Sequence, residues 1–186
     1  MLKLERLLSG GDLRSIGKVD SVISKIHSQG DFDELFHCMF HQDRIVVMRA
    51  ADAIEKITID APSYLAKHKK EILALCETAS NKELKWHLAL LISRLRLAGK
   101  ELASAWHTLR KWATDEEESR IVRVNSLQTL FELATRHSPL SKDLEKVFVK
   151  LEREDIPSIK ARIRILRQWD HIWNKSSTRI FITSKY

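Results

Sequence analysis

"DRIVVMRAADAIEKI", residues 43–57, sets Val46, Ala50, Ile54 and Ile57 along one side of a helix, in steps of four, four and three. Its first residue, Asp43, offers a short side-chain oxygen for the free amides of a helix's first turn. The same apolar steps return 38 residues later at Leu84, Leu88, Ile92 and Leu95, and after another 38 at Val122, Ser126, Leu130 and Leu133. Ile159 and Ile163 open a looser copy, and Asn81 and Ser119 stand where Asp43 does. A period of roughly 35 to 47 residues, with helical spacing inside each copy, marks paired helices stacked on one another. The predicted fold is all-α: an α-solenoid of about four helix pairs with an amino-terminal capping segment.

Working outward, the first helix of each pair is predicted at residues 32–40, 63–79, 100–113 and 140–152. Leu35, Phe36, Met39 and Phe40 make one apolar stripe, and Leu144, Val147, Phe148 and Leu151 another. Pro62 and Pro139 each follow a second helix, where a missing amide and a ring clash stop the helix from continuing. Leu8, Asp12, Ile16 and Val19 suggest a partial unit, and residues 13–26 are predicted to cap the core. Beyond Trp169, "NKSSTRIFITSKY" (residues 174–186) leaves the helical pattern and holds the β-favouring run Ile180 to Thr183. The expected organisation is therefore one domain, residues 1–173, with a carboxyl-terminal extension or tail at 174–186.

Composition fits a folded helical chain, with 44% hydrophobic and 31% charged residues, five glycines and three prolines among 186 residues. That length buries a core without disulfides or metal. Cys38 and Cys76 are one period apart. Equivalent points on neighbouring helices lie about 8–10 Å apart, beyond the roughly 7 Å reach of a disulfide, so both are expected as free thiols. No apolar run approaches the ~18 residues of a membrane span. Met1 to Leu8 is too short and too charged for a secretory leader, so a cytoplasmic location is expected.

The stretch 43–57 resembles the HEAT-repeat consensus, in which an aspartate precedes a Val-Arg pair, then Ala-Ala and Leu or Ile. "NKELKWHLALLISRL" (81–95) and "ESRIVRVNSLQTLFEL" (118–133) match it in part, and "DIPSIKARIRIL" (155–166) loosely. The chain also resembles small bacterial HEAT proteins with "SGGDLRSIG"-like starts and "RAADAIEKI"-like repeats, and the resemblance covers residues 8–169. It implies an α-solenoid used for protein contacts, with the second helices lining its concave side.

Helical phase then separates structural from available positions. With Val46, Ala50, Ile54 and Ile57 inward, Met48, Arg49, Asp52 and Glu55 point elsewhere. One period on come Trp86, His87, Leu90 and Ser93; the next gives Val124, Asn125, Gln128 and Phe131, and the last Ala161, Arg162 and Ile165. The candidate partner-binding groove is Met48, Arg49, Asp52, Trp86, His87, Leu90, Asn125, Gln128, Phe131 and Arg162. An indole beside flexible sulfur and aliphatic neighbours is a hot-spot composition, so a protein or peptide segment is the expected partner.

Charge carries a second reading. Most of the formal +7 lies after Ile156, where seven cations face only Asp170. Lys160, Arg162, Arg164 and Arg167 form a basic patch, with Trp169 and Trp173 near enough in sequence to stack on bases, so nucleic-acid binding is the alternative. A third reading comes from alkylpurine DNA glycosylases, which use HEAT-like repeats: Trp86, Asp52 and Arg49 agree with them in type but not residue by residue. Asp33, His37 and His41 have metal-ligand spacing but lack the further ligands of a zinc helix. No GxSxG, Walker, GxGxxG or CxxC motif is present. The chain is therefore read as non-enzymatic, with no cofactor and no metal.

Overall fold

The computed structural model describes the backbone of residues 3–11 and 18–182, with side chains described within those spans from Leu4 to Trp169. Every regular element among the described residues is helical. α1 (Lys3–Leu8) and α2 (Val19–Ile23) precede α3 (Gln29–His37), α4 (Arg44–Asp60), α5 (Lys69–Thr78), α6 (Lys82–Arg94) and α7 (Gly99–Thr114). α8 (Arg120–Arg136), α9 (Ser141–Glu152) and α10 (Pro157–Ile182) complete the chain. α4, α6, α8 and α10 are the predicted second helices, and the fold is of the all-α solenoid class that the period predicts.

The starts and stops follow local chemistry. Asp43 Oδ1 accepts from the Ile45 amide at 2.8 Å, and Ser119 Oγ from the Val122 amide at 3.5 Å. Asn81 holds the corresponding cap position in extended backbone without a side-chain bond. After α4, Pro62 opens a 3-10 segment, Pro62–His68, and after α8, Pro139 lies in another, Ser138–Leu140.

By its contacts the chain divides into two compact units, residues 1–108 and 109–186. In the first, α4 is the centre, packing against α1, α2, α3 and α6. Ala50, Ala51 and Ala53 are fully buried and small enough to admit these neighbours, while Ile54, Phe32, Phe36, Leu88 and Ile92 fill the remaining space. Each such large side chain contributes about 1.5–3 kcal/mol over leaving it exposed. Across both units, the inward positions of the repeat pattern are buried, except Ile57, which is half-buried.

Three details of the first unit differ from the sequence reading. Phe40, placed in an apolar stripe, is 52% exposed, because α3 tightens into a 3-10 turn at Cys38–Phe40 and the change to three residues per turn swings it off the face. Of the predicted cap, the helix covers Val19–Ile23, while Asp12 and Ile16 lie outside the described residues. α1 is an additional element, burying Leu4 and Leu8; six residues are too few to show a period. Cys38 and Cys76 are buried free thiols. Burial, helped by Glu5 and Glu34, pushes the Cys38 thiol up to about 11, and burial raises Cys76 as well.

In the second unit α8 packs against α9 and α10. α8 buries Val122, Leu127, Leu130 and Leu133, α9 buries Leu144, Val147, Phe148 and Leu151, and α10 buries Ile159, Ile163 and Leu166. The segment expected to leave helical structure after Trp169 instead continues α10 to Ile182; no glycine or proline interrupts residues 158–182. Residues 183–186 lie outside the described residues.

Candidate partner-binding faces

In the first unit, α4 turns Val46, Ala50 and Ile54 to the core, leaving Met48, Asp52 and Glu55 half-buried on an adjoining face. From α6, half-buried Trp86 and Leu90 belong to the same outward phase. A polar rung joins the two helices. One ligand atom each from Asp52, Glu55 and His87 lies within 4.8 Å of the others. His87 Nδ1 donates to Glu55 Oε2 at 3.1 Å, and Trp86 meets the His87 ring edge-on with centroids 5.2 Å apart. Arg94 donates to the Glu55 carbonyl, to Thr58 Oγ1 at 2.6 Å and to Glu55 Oε1 at 3.2 Å, while Lys56 reaches Asp52 at 2.9 Å. Two carboxylates and an imidazole are a metal-ligand set by type. Here each carboxylate already has its cation, so the group works as an internally balanced tie between repeats.

The balance makes this tie acid-sensitive. The His87 hydrogen bond and then the charges of His87 and Arg94 hold the Glu55 carboxyl below its ordinary value of 4.5. A group whose folded pKa is depressed adds stability that is fully present above its unfolded value and is lost as pH falls through the folded one. Urea midpoints measured from pH 7 to pH 3 are therefore expected to fall below about pH 4.5, and to fall less steeply in Glu55→Gln. Identical pH profiles would show that the carboxylate contributes nothing.

In the first unit the structure buries two of the groove positions. Arg49 is 1% exposed, and its guanidinium Nη1 donates to the carbonyls of Leu8 at 2.7 Å, Gly10 at 2.6 Å and Ser9 at 3.3 Å. Phase placed it off the core of its own layer, but α1 and the turn after it cover that side of α4. The turn uses glycine's freedom: Gly10 and Gly11 have φ of 77° and 75°, and a Cβ on Gly11 would lie 3.2 Å from Arg49 Nη2. His87 is 4% exposed and serves the rung. The glycosylase reading loses its basic member with Arg49 and finds Asp52 held by Lys56.

In the second unit, Arg162 Nη1 donates to Gln128 Oε1 at 2.6 Å, tying α10 to α8, and Gln128 Nε2 donates to Glu132 at 2.7 Å. Gln128 is buried in this role, while Asn125 and Phe131 are half-buried. Phe131, Leu144, Phe148 and Arg167 help line a cavity of about 210 Å³. Two of the four basic-patch residues are paired with carboxylates. Arg167 pairs with Glu145 at 2.7 Å and Glu152 at 3.2 Å and lies over the Phe148 ring, and Lys160 pairs with Asp155 at 3.0 Å. Arg164 is exposed, as are Ile165 and Trp169. The residues that sequence reasoning missed are Arg94 and the α9 acids. Arg94 is the last residue of α6, one before the final core position Leu95; Glu145 and Glu152 lie seven apart on α9, a spacing that signals one helical face.

The spaced set Asp33, His37 and His41 does not converge. Asp33 accepts from Lys67 and from His68 at 2.7 Å, the His37 ring bonds the Asp33 carbonyl at 2.8 Å, and His41 reaches Glu5 at 2.7 Å. No helix among the described residues is long and apolar enough to cross a membrane.

Comparison with known families matches the chain, over residues 5–169, to the model described as a HEAT repeat domain. No curated protein and no solved structure matches it.

Proposed function

Since this chain belongs to the HEAT-repeat family, we propose that it is a non-catalytic module that binds a protein or peptide segment on the face shared by α4 and α6. One observation carries the reading: Met48, Trp86 and Leu90 remain half-buried beside a fixed polar rung of Asp52, Glu55, His87 and Arg94. An indole with a flexible thioether and a leucine offers apolar area at low entropic cost, and the rung's carboxylates supply fixed acceptors that orient a bound backbone or side chain. The pairing of Arg167 and Lys160 with carboxylates leaves the nucleic-acid alternative without comparable support.

The test is a photo-crosslinking amino acid placed at Leu90, with a control at exposed Ala103 on α7. A discrete adduct is expected from Leu90 and not from Ala103, and Trp86→Ala is expected to cut its yield by about tenfold or more, the scale of a hot-spot residue. Raising salt should change the yield modestly, whereas phosphate-backbone binding would weaken steeply. Equal labelling from both positions would sink the assignment.

A further inference from the structure

A second recess in the first unit opens between the 3-10 segment Pro62–His68, the start of α5 and the end of α6. Its volume is about 410 Å³, within the ~300–1,000 Å³ range of small-molecule sites. Lys69, Arg94 and Arg96 line it, and no carboxylate does. Ser63 adds a hydroxyl, while Pro62 and Ala66 supply apolar wall.

The three cations differ in how they are held. Arg94 is preset, its guanidinium bonded to the Glu55 carbonyl, Glu55 Oε1 and Thr58 Oγ1. Lys69 is drawn toward Glu101 at 2.7 Å but spends one of its three donors there. Arg96 is exposed and makes no hydrogen bond or ion pair among the described residues. Two of the three positive charges therefore have a carboxylate behind them, outside the recess, and the third has none. The cavity holds a net positive field and spare N–H donors, next to apolar wall.

We propose that this recess binds a phosphate monoester, the phosphoryl oxygens taking the donors of Arg96, Lys69 and Arg94 and the organic substituent resting on Pro62 and Ala66. A phosphoryl group suits forked guanidinium donors, because charge-assisted bonds to its oxygens are short and strong. The volume leaves room for more than the phosphate itself. The recess shares Arg94 with the rung of the α4–α6 face, but Arg96 is no part of that face, and its loss is expected to leave the Leu90 crosslink unchanged.

The test is titration calorimetry at constant ionic strength with phenyl phosphate, inorganic phosphate and a phosphoserine pentapeptide. Saturable binding at one site is expected, phenyl phosphate binding more tightly than inorganic phosphate because of the apolar wall. Arg96→Ala is expected to weaken it by about tenfold or more. Lys82→Ala, an exposed cation at the opposite end of α6, should leave it unchanged. Tighter binding of the peptide than of phenyl phosphate would identify the ligand as a phosphorylated side chain, and the reverse a free metabolite. Absence of saturable binding by all three probes would overturn the proposal. So would equal weakening by Arg96→Ala and Lys82→Ala, which would mean that the probes respond to the overall positive charge and not to the recess.

Discussion

Arg49→Met is expected to lower the unfolding free energy by about 1–3 kcal/mol for each carbonyl left buried without a donor. The side chain is 1% exposed, and its guanidinium gathers the carbonyls of Leu8 and Gly10 at 2.7 and 2.6 Å, with Ser9 at 3.3 Å. These are the unpaired acceptors that any helix leaves at its carboxyl end, here that of α1. Methionine restores most of the volume but no donor, so the buried Leu8 carbonyl loses its partner where water cannot replace it. Leu4 and Leu8 seal the core through α1, so loss of the clamp should also loosen that helix. Amide hydrogen exchange in residues 3–8 is expected to accelerate more than in α6. Arg49→Lys, with one compact ammonium in place of a planar fork, should fall between. A urea midpoint for Arg49→Met equal to that of the unaltered chain would mean that the contact is ornamental.

Arg49 also marks where the sequence stopped being readable. The apolar steps through Val46, Leu84, Val122 and Ile159 and the caps at Asp43 and Ser119 depend on neighbours within a few turns, so periodicity and side-chain chemistry express them directly. What covers a given side depends on segments far along the chain. Arg49 is buried by carbonyls about 40 residues earlier, and Arg167 is neutralised by Glu145, 22 residues before it, so phase and a local charge count misjudge both. The same phase did put Asp52 and His87, and Gln128 and Arg162, in one set of positions. It did not pair them: each meets a residue about one turn before its repeat-shifted counterpart, which would be Leu90 for Asp52 and Ile165 for Gln128. A half-buried ladder is thus legible as a set of positions, while the division into tie and free surface depends on which side chains find partners. Trp86 and Leu90 stay half-open, and His87 does not.

In the second unit, Arg123→Met is expected to cost about 3–5 kcal/mol, because its removal strands a buried charge. Arg123 is 1% exposed; its Nε donates to the Ala113 carbonyl at 3.0 Å, near the end of α7, and its Nη2 to Glu154 Oε2 at 2.5 Å. The other oxygen, Glu154 Oε1, is buried without a hydrogen-bond partner among the described residues. The carboxylate therefore relies on Arg123 for its compensation, and removing the guanidinium strands a charge as well as a carbonyl. Glu154→Leu alone strands the guanidinium instead, with Ala113 as its remaining partner here. The double variant Arg123→Met/Glu154→Leu removes both charges, and replacing a buried pair by apolar side chains is often neutral or better. Only the Ala113 carbonyl is then short of a donor, at a cost of about 1–3 kcal/mol. The double variant should thus be more stable than Arg123→Met, with a coupling energy of roughly 2–3 kcal/mol in a double-mutant cycle read by urea unfolding. Strictly additive losses would show that the pair is screened and that Arg123 acts through the Ala113 carbonyl alone, as a helix-end clamp of the kind Arg49 provides for α1.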